Sequence, residues 1–329
     1  MKKLINSPSK VVTEMLSGLA KANPQLNYLG TDVEVICRRE KKSGKVGLVS
    51  GGGSGHEPAH AGYVGTGMLD AAVAGNVFAS PSPDRIIEGI KAADSGAGVL
   101  LIIKNYSGDV MNFQMAAELA EFEDIRTEQV IVKDDVAVAD STYSTGRRGI
   151  AGTVFVHKIA GAAAEAGASL EEVKRVAEKV VANVRTMGMA MTPCILPGVG
   201  KAGFSLEEDE VEIGMGIHGE PGINREKISS AADIARKLTD KILADLDYSG
   251  SETAVMVNGL GGTPLMELYI MFDEVEKILS AKGIRIYKSF VGNYMTSLEM
   301  AGCSVTLLKL DQELKALLDA PADTPAFKC

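Results

Sequence analysis

The sequence of 329 residues contains no tryptophan, only four cysteines and few aromatic residues, which make up 5% of the chain. The cysteines are scattered and form no C-x-x-C pair, so they indicate neither a zinc site nor a disulfide framework. Reduced cysteines are typical of cytoplasmic proteins. No charge-free apolar run approaches membrane-spanning length, and the first residues contain no secretory core. We therefore expect a cytoplasmic protein that does not insert into membranes.

Positive charge is also scarce. The formal net charge is −9 and the chain has no basic patch of length, which argues against nucleic acid as the main partner because phosphate binding requires clustered lysine and arginine. The phosphate-binding motif G-x-x-x-x-G-K-[ST] is missing, and the glycines at 51–55 fail the dinucleotide fingerprint because His56 occupies the place of its last glycine. We expect the chain itself to bind neither a nucleotide nor a metal ion.

Glycine is abundant, with 36 residues, and the apolar content is sufficient for two cores. Short apolar runs alternate with helical patterns, which indicates α/β structure with sheets covered on both faces. We predict two α/β domains, each with a mainly parallel or mixed sheet flanked by helices. Several prolines and glycines interrupt the pattern shortly after Gly188, at 193, 197, 198 and 200. The predicted domains are therefore residues 1–187 and 188–329. The tail after Pro321 is expected to be loosely ordered.

Two predicted strands end in loops that carry reactive side chains. The stretch at 45–55, K-V-G-L-V-S-G-G-G-S-G, is a short apolar strand followed by a glycine-rich loop, and His56 comes next. The apolar strand at 99–103 leads into Lys104 and Asp109. Ligands of open α/β sheets bind beyond the carboxyl ends of the strands, so these side chains are candidates for one site. Asp109 has an alternative role as a helix cap.

A second histidine lies in a comparable loop. The segment G-I-H-G-E-P-G at 216–222 follows a predicted strand and contains His218. Glycine-rich strand ends have no packing need for an imidazole, which favours a functional role for this residue. Together with His56 and Asp109, and with Ser80 in a nearby loop, His218 predicts general acid/base or nucleophilic chemistry on a small polar substrate.

One pattern suggests a different chemistry. Residues 56–60 are H-E-P-A-H, which matches the H-E-x-x-H of zinc peptidases. That motif requires a helix that places both histidines on one face, whereas Pro58 and the preceding glycines allow a helix only to begin here. A zinc peptidase is therefore a remote alternative. His157 lies among apolar residues of a predicted helix, and we interpret it as a packing or surface residue rather than a ligand.

Separate motifs, in order along the chain, resemble those of the dihydroxyacetone kinase K subunit family. They are G-G-G-S-G-H-E-P at 51–58, I-I-K-N-Y-S-G-D at 102–109, G-R-R-G at 146–149, G-I-H-G-E-P-G at 216–222, N-G-L-G-G-T-P-L-M-E-L-Y at 258–269 and T-S-L-E-M-A-G at 296–302. This resemblance covers nearly the whole chain.

The resemblance implies a homodimeric subunit that binds dihydroxyacetone for a phosphoenolpyruvate-dependent phosphotransferase. It implies that His218 attacks the carbonyl carbon and holds the ketone as a hemiaminal. Asp109 would accept the proton of the terminal hydroxyl, and His56 would hydrogen-bond the substrate and assist proton transfer. The implied substrate-binding residues are Gly53, Ser54, Gly55, His56, Ser80, Lys104, Asp109 and His218.

Two versions of this family differ in the source of phosphate. ATP-dependent members continue into a helical nucleotide-binding domain, whereas this sequence stops at Cys329. The resemblance is therefore to the form in which a partner L subunit holds ADP or ATP with magnesium, and a phosphotransferase-system M subunit supplies phosphate from phosphoenolpyruvate. A related subunit that binds dihydroxyacetone as a coactivator of a transcription regulator, without kinase activity, remains an open alternative.

Overall fold

The computed structural model of the chain describes residues 2–30, 32–138, 146–200, 202, 204–220 and 222–329. Within these residues the chain forms two six-stranded sheets, each flanked by helices. The predicted α/β class with two mixed or mainly parallel sheets is confirmed.

The first sheet is built from the N-terminal half of the chain. Its strands are β1 (Leu26–Tyr28), β2 (Val35–Arg38), β3 (Gly47–Ser54), β4 (Ala71–Val77), β5 (Val99–Lys104) and β6 (Thr127–Val132). Their spatial order is β1-β2-β4-β3-β5-β6. Strands β4, β3, β5 and β6 are mutually parallel, and β1 and β2 are attached by antiparallel pairing. The carboxyl ends of the central strands therefore meet at one edge.

Strand β3 continues further than its apolar run predicts, because it includes the glycines at 51–53. These glycines pair with β4. A Cβ on Gly51 would lie 2.4 Å from the carbonyl oxygen of Val73, and one on Gly53 would lie 2.6 Å from the nitrogen of Ala79. Side chains cannot be accommodated here, so the close approach requires glycine. The loop begins only at Gly55, which has a φ of +108°, and His56 is thus fixed at a strand end.

The second sheet is built from the C-terminal half. Its strands are β7 (Val184–Ala190), β8 (Glu210–Ile213), β9 (Asn224–Lys227), β10 (Glu252–Gly259), β11 (Arg285–Gly292) and β12 (Gly302–Leu310). Their order is β11-β10-β12-β7-β8-β9. Strands β10 and β11 are parallel, and the other described pairs are antiparallel. This sheet is therefore mixed rather than mainly parallel.

Eight α-helices in the described part of the chain surround and separate the sheets. They are α1 (Val11–Ala22), α2 (Pro83–Ala93), α3 (Ser107–Glu121), α4 (Thr153–Glu165), α5 (Leu170–Asn183), α6 (Ala231–Asp245), α7 (Leu265–Ala281) and α8 (Gln312–Asp319). Helices α2 and α3 bury apolar residues against one face of the first sheet, and α6 and α7 do so on one face of the second. Residues of both sheets, such as Leu100 and Met256, share a third core with α4, α5 and α8. The two sheets are thereby held by one inner helical layer.

The predicted boundary between residues 187 and 188 falls within β7, which pairs along its length with β12 of the second sheet. The division into 1–187 and 188–329 stays a prediction. The expectation of a loose tail is wrong: Phe327 is buried, its ring centroid is 5.5 Å from that of Phe290, and Asp323 forms a bridge with Thr66. The tail is ordered because its apolar residues complete the inner core.

The cysteines are unpaired; three are buried, and Cys329 is exposed. Among the described helices, none has both the length and the apolar character needed to cross a bilayer.

Candidate active site

The candidate site lies where the carboxyl ends of β3 and β5 meet the loop that follows β8. His56 follows β3, Lys104 is the last residue of β5, and Asp109 lies in the first turn of α3. His218 comes from the loop after β8. The ring centroids of His56 and His218 are 4.7 Å apart, with the rings almost perpendicular. The structure thus brings together, from the two sheets, the two histidines that the sequence singled out.

Aromatic rings surround His218 on several sides. Its ring centroid lies 4.6 Å from that of Tyr106 and 5.3 Å from that of Phe78, both in edge-to-face geometry. His56 in turn stacks on Phe78 with centroids 5.1 Å apart. The side chain of His218 remains 18% exposed, so a small molecule can reach an imidazole whose orientation is fixed by its neighbours.

Glu220 sets the protonation pattern of His218. One carboxylate oxygen accepts a hydrogen bond from His218 Nδ1 at 2.8 Å, and the other accepts from the His218 backbone nitrogen at 2.9 Å. Burial raises the pKa of Glu220, but the His218 ring, its hydrogen bond and the Arg148 guanidinium outweigh burial and lower the pKa to about 2. An ionised carboxylate can only accept, so Nδ1 carries a proton, and in the neutral imidazole the lone pair is on Nε2.

His56 shows the same hydrogen-bonding pattern, in which Nδ1 is the donor. It is completely buried, and its Nδ1 donates to the carbonyl oxygen of Thr296 at 2.8 Å. Its Nε2 has no hydrogen-bond partner among the described residues. Burial, together with the charge of Lys104 and the nearby His218, holds the pKa of His56 well below its usual value despite the bond to Thr296. His56 is therefore neutral near pH 7, with Nε2 available as a base.

Lys104 and Asp109 are both buried at the floor of the site, where Gly52 leaves space for them. A Cβ on Gly52 would lie 3.1 Å from Lys104 Nζ and 3.4 Å from an oxygen of Asp109. Lys104 Nζ and Asp109 Oδ1 have no hydrogen-bond partners within the described part of the chain. Burial lowers the pKa of Lys104 and raises that of Asp109, and the attraction between the two groups opposes both shifts.

Asp109 does not cap α3. Tyr106 occupies the N-cap position, and no side chain makes a capping hydrogen bond there. Asp109 Oδ1, which has no hydrogen-bond partner among the described residues, is therefore available for a ligand. Ser80 lies beside this carboxylate and lowers its pKa through a hydrogen bond, which places Ser80 at the site as the sequence suggested.

The other residues predicted to bind substrate directly precede His56 in the chain. Gly53 abuts Phe78 and Ala79, and Gly55 abuts the Phe78 ring, where a Cβ would lie 2.7 Å away. The Ser54 hydroxyl donates to the carbonyl oxygen of Gly75 at 2.8 Å, so its proton is already used. The substrate contacts of these three residues stay predictions.

Residues that the sequence reasoning missed complete the site. Arg148 is fully buried and hydrogen-bonds Asp135 and the carbonyl oxygen of Gly214. The hydroxyl of Tyr106 is buried without a partner among the described residues. The motifs at 146–149 and 216–222 contained Arg148 and Glu220, but nothing in their spacing indicates that these segments meet.

The residues of the H-E-x-x-H pattern form turns, not a helix. His60 Nδ1 lies 3.0 Å from His157 Nε2 and 3.3 Å from the Ser50 hydroxyl, whereas His56 bonds to Thr296. The two histidines of the pattern therefore have separate partners, and the peptidase alternative has no support. His157 is fully buried in α4, so of the two expected roles, packing or surface, it has the packing role.

The fold and the site define a class: an α/β protein of two sheets that brings two imidazoles, a carboxylate and an ammonium group together at the ends of its strands. Comparison with known families gives the particular assignment. A model described as the Dak1 domain matches residues 17–326, and the chain belongs to this family.

Curated relatives cover the chain almost completely. The chain is 57% identical over 329 residues to the dihydroxyacetone-binding subunit DhaK of PTS-dependent dihydroxyacetone kinase 1 from Listeria innocua, covering 99% of this chain and 100% of that one. It is 43% identical to the dihydroxyacetone-binding subunit DhaK of the PEP-dependent kinase of Escherichia coli, with 99% of each chain covered.

Solved structures show the same fold. The dihydroxyacetone kinase of C. freundii superposes with a TM-score of 0.89 at 37% identity, covering 99% of this chain and 60% of that one. A protein described as the dihydroxyacetone kinase operon co-activator Dha-DhaQ superposes with a TM-score of 0.90 at 39% identity, covering 95% of this chain and 97% of that one.

Proposed function

We propose that the chain binds dihydroxyacetone and presents it for phosphorylation, as the substrate-binding subunit of a phosphoenolpyruvate-dependent dihydroxyacetone kinase. The observation that carries this proposal is the shared tautomer of the two histidines. His56 and His218 each donate a hydrogen bond from Nδ1 to a buried acceptor, which leaves Nε2 as the nitrogen available to a substrate. The printed names of the full-length relatives support the same substrate.

His218 is the proposed nucleophile. Its Nε2 lone pair forms a bond to the carbonyl carbon of dihydroxyacetone, and the C=O π bond breaks towards oxygen. The oxygen then takes a proton that His56 Nε2 relays from solvent, which gives a hemiaminal. The imidazolium charge that develops on His218 lies against ionised Glu220, 2.8 Å from Nδ1. A buried carboxylate at this distance stabilises the positive ring.

Covalent capture suits so small a substrate. Even the best tiny ligands gain at most about 1.5 kcal/mol per non-hydrogen atom, so a three-carbon ketone offers little area for tight binding. Glycerol differs from dihydroxyacetone mainly by lacking the carbonyl. A reversible bond to the carbonyl carbon therefore selects the ketone by a chemical property that glycerol does not have.

Asp109 is the proposed base for phosphoryl transfer. Its unpartnered oxygen accepts the proton of the terminal hydroxyl while that hydroxyl oxygen attacks the terminal phosphorus of a nucleoside triphosphate. The phosphorus–oxygen bond to ADP breaks, which leaves a phosphorylated hemiaminal on His218. The hemiaminal hydroxyl then returns its proton, the C=O bond re-forms, the bond to His218 Nε2 breaks, and dihydroxyacetone phosphate leaves. Burial raises the pKa of Asp109, which makes it a stronger base than an exposed carboxylate.

The nucleotide and its magnesium belong, in this proposal, to a partner L subunit, which an M subunit of the phosphotransferase system recharges from phosphoenolpyruvate. The terms PTS-dependent and PEP-dependent in the names of the relatives support that source of phosphate. We further propose a cytoplasmic homodimer, with a substrate pocket lined by Gly53, Ser54, Gly55, Ser80 and Lys104 in addition to the three catalytic residues.

A second candidate is a sensor that binds dihydroxyacetone and activates transcription without kinase activity. The close superposition with the co-activator Dha-DhaQ favours it. Mixing the purified chain with its L and M partners, the general phosphotransferase proteins and phosphoenolpyruvate separates the two functions. Formation of dihydroxyacetone phosphate supports the kinase subunit, and its absence with active partners supports the sensor.

The covalent step has its own test. Addition of dihydroxyacetone labelled with ¹³C at the carbonyl should replace the ketone resonance of bound ligand by that of a tetrahedral carbon. His218→Gln should abolish this resonance, and His157→Gln should retain it because His157 lies outside the site. A bound ligand that keeps its ketone resonance in the unmodified chain would remove the covalent mechanism.

A further inference from the structure

The strongest unexplained arrangement near the site is the pair formed by Glu220 and Arg148. Glu220 is almost completely buried and uses both carboxylate oxygens on His218, one on the ring nitrogen Nδ1 and one on the backbone nitrogen. A carboxylate committed to a single residue in this way controls both the orientation of the ring and the position of its proton.

Arg148 supplies the charge that such a buried carboxylate needs. A Cβ on Gly216 would lie 2.1 Å from Glu220 Oε2 and 2.8 Å from a terminal nitrogen of Arg148. Both groups therefore converge on the space that Gly216 leaves empty. That terminal nitrogen of Arg148 has no hydrogen-bond partner among the described residues, so its interaction with Glu220 is electrostatic rather than a direct bond.

Arg148 is itself held rigidly from two directions. Its Nε donates to Asp135 at 2.7 Å, and its other terminal nitrogen, Nη2, donates to the carbonyl oxygen of Gly214 at 2.8 Å. Asp135 and Arg148 lie between β6 and α4, in the part of the chain that follows the first sheet, whereas Gly214 and Glu220 follow β8 of the second sheet. The arginine therefore spans the boundary between the two halves of the site.

We propose that Arg148 and Glu220 are positioning residues that hold His218 as the Nδ1–H tautomer and so keep its Nε2 nucleophilic. A neutral imidazole exchanges between two tautomers, and the Nε2–H form has no lone pair with which to attack a carbonyl carbon. An ionised carboxylate excludes that form because it cannot donate to Nδ1. The hydrogen bond from His218 and the charge of Arg148 together keep Glu220 ionised where burial alone would favour protonation. This inference rests on the proposed function of His218.

The tautomer can be measured without substrate. Protein with ¹⁵N-labelled histidine should show the Nδ1–H pattern for His218, whose signals are assigned by their loss in His218→Gln. Glu220→Gln should lose this pattern, because a carboxamide can also donate to Nδ1. The Nε2–H form in the unmodified protein, or an unchanged pattern in Glu220→Gln, would overturn the proposal.

Kinetics provide the second readout. The rate of dihydroxyacetone capture should fall at least ~100-fold in Glu220→Gln, as expected when a histidine loses the carboxylate that sets its tautomer, and Glu220→Asp should recover part of it. Arg148→Met should shift the acid limb of the capture rate to higher pH, since Glu220 then protonates more readily. The matched control Arg147→Met should not shift it, because Arg147 pairs with Asp245 outside the site.

The outcomes separate this inference from the proposed function. If the unmodified protein shows the Nδ1–H tautomer but no capture, the function proposed for His218 fails and the tautomer assignment stands. Capture with equal rates and equal pH profiles in the unmodified, Glu220→Gln and Arg148→Met proteins would overturn the positioning role alone. Should Glu220→Gln not fold, the tautomer of the unmodified protein and the comparison of Arg148→Met with Arg147→Met still test the positioning role.

Discussion

Lys104 and Asp109 form a buried pair of opposite charges that are not in direct contact, and this arrangement predicts a large interaction between them. Neither Lys104 Nζ nor Asp109 Oδ1 has a hydrogen-bond partner among the described residues. Replacing either group alone leaves the other charge buried without its partner, whereas the double variant Lys104→Met/Asp109→Asn removes both charges. We expect the double variant to be more stable than the sum of the single effects predicts.

The magnitude follows from the geometry at Gly52. Lys104 Nζ and an Asp109 oxygen lie 3.1 Å and 3.4 Å from the position of a Cβ on Gly52, so their separation is no greater than the sum of these distances. For separations of about 4–6.5 Å and an effective dielectric constant near 20, the attraction amounts to ~2.5–4 kcal/mol. The coupling free energy should fall in this range. Because both desolvation costs disappear, the double variant should be as stable as the unmodified protein or up to about 4 kcal/mol more stable.

The assay is a double-mutant cycle on the free energy of unfolding, measured in urea at pH 7.5. The matched control pairs Asp109→Asn with Lys158→Met. Lys158 is also fully buried, but it donates to the carbonyl oxygen of Leu317 at 2.7 Å, and its charged neighbours include Lys288 and Asp319 rather than Asp109. This control cycle should be additive within about 0.5 kcal/mol. A coupling below about 1 kcal/mol in the Lys104 cycle would refute the electrostatic reasoning.

Two further predictions concern buried groups away from the site. Burial lowers the pKa of His157 to about 3, so at mildly acidic pH the unfolded chain binds a proton at this residue and the folded chain does not. Stability therefore falls as the pH falls, and in His157→Gln the slope of unfolding free energy against pH should decrease by up to ~1.4 kcal/mol per pH unit between about pH 4 and 5.5. An equal slope in the two proteins would contradict this. Phe327→Ala should cost about 3–5 kcal/mol because the ring is buried in the inner core, whereas the exposed control Lys328→Ala should cost less than about 0.5 kcal/mol in the same urea experiment.

The positions of His56, Asp109 and His218 could be predicted because local sequence carries the necessary signal. Each lies shortly after a strand, and the two histidines stand in glycine-rich segments, where packing alone does not require an imidazole. Parallel topology then places the ends of β3 and β5 side by side. The sequence could not predict the tautomers, because they depend on Thr296 and Glu220, whose approach to the rings is decided by tertiary packing.

Other features escaped prediction for similar reasons. Strand β9 has the sequence N-R-E-K, which contains no apolar residue and therefore no alternation to detect; it is an exposed edge strand held by pairing with β8. The glycines at 51–53 suggested a loop, whereas their lack of side chains lets them extend β3 against β4. The tail around Phe327 looked loose because polar residues and prolines surround a single aromatic ring that finds its partners only in the folded core.

The division of the site between two sheets has a consequence for its chemistry. His56, Lys104 and Asp109 are fixed by the first sheet, and His218 is fixed by a loop of the second, yet the proposed reaction requires all four around one three-carbon molecule. The inner core shared by both sheets keeps the two sides in register, and Arg148 repeats that connection beside the site by joining Asp135 to Gly214. The separation between the proposed nucleophile, His218, and the proposed base, Asp109, is thus set by buried contacts between the two halves.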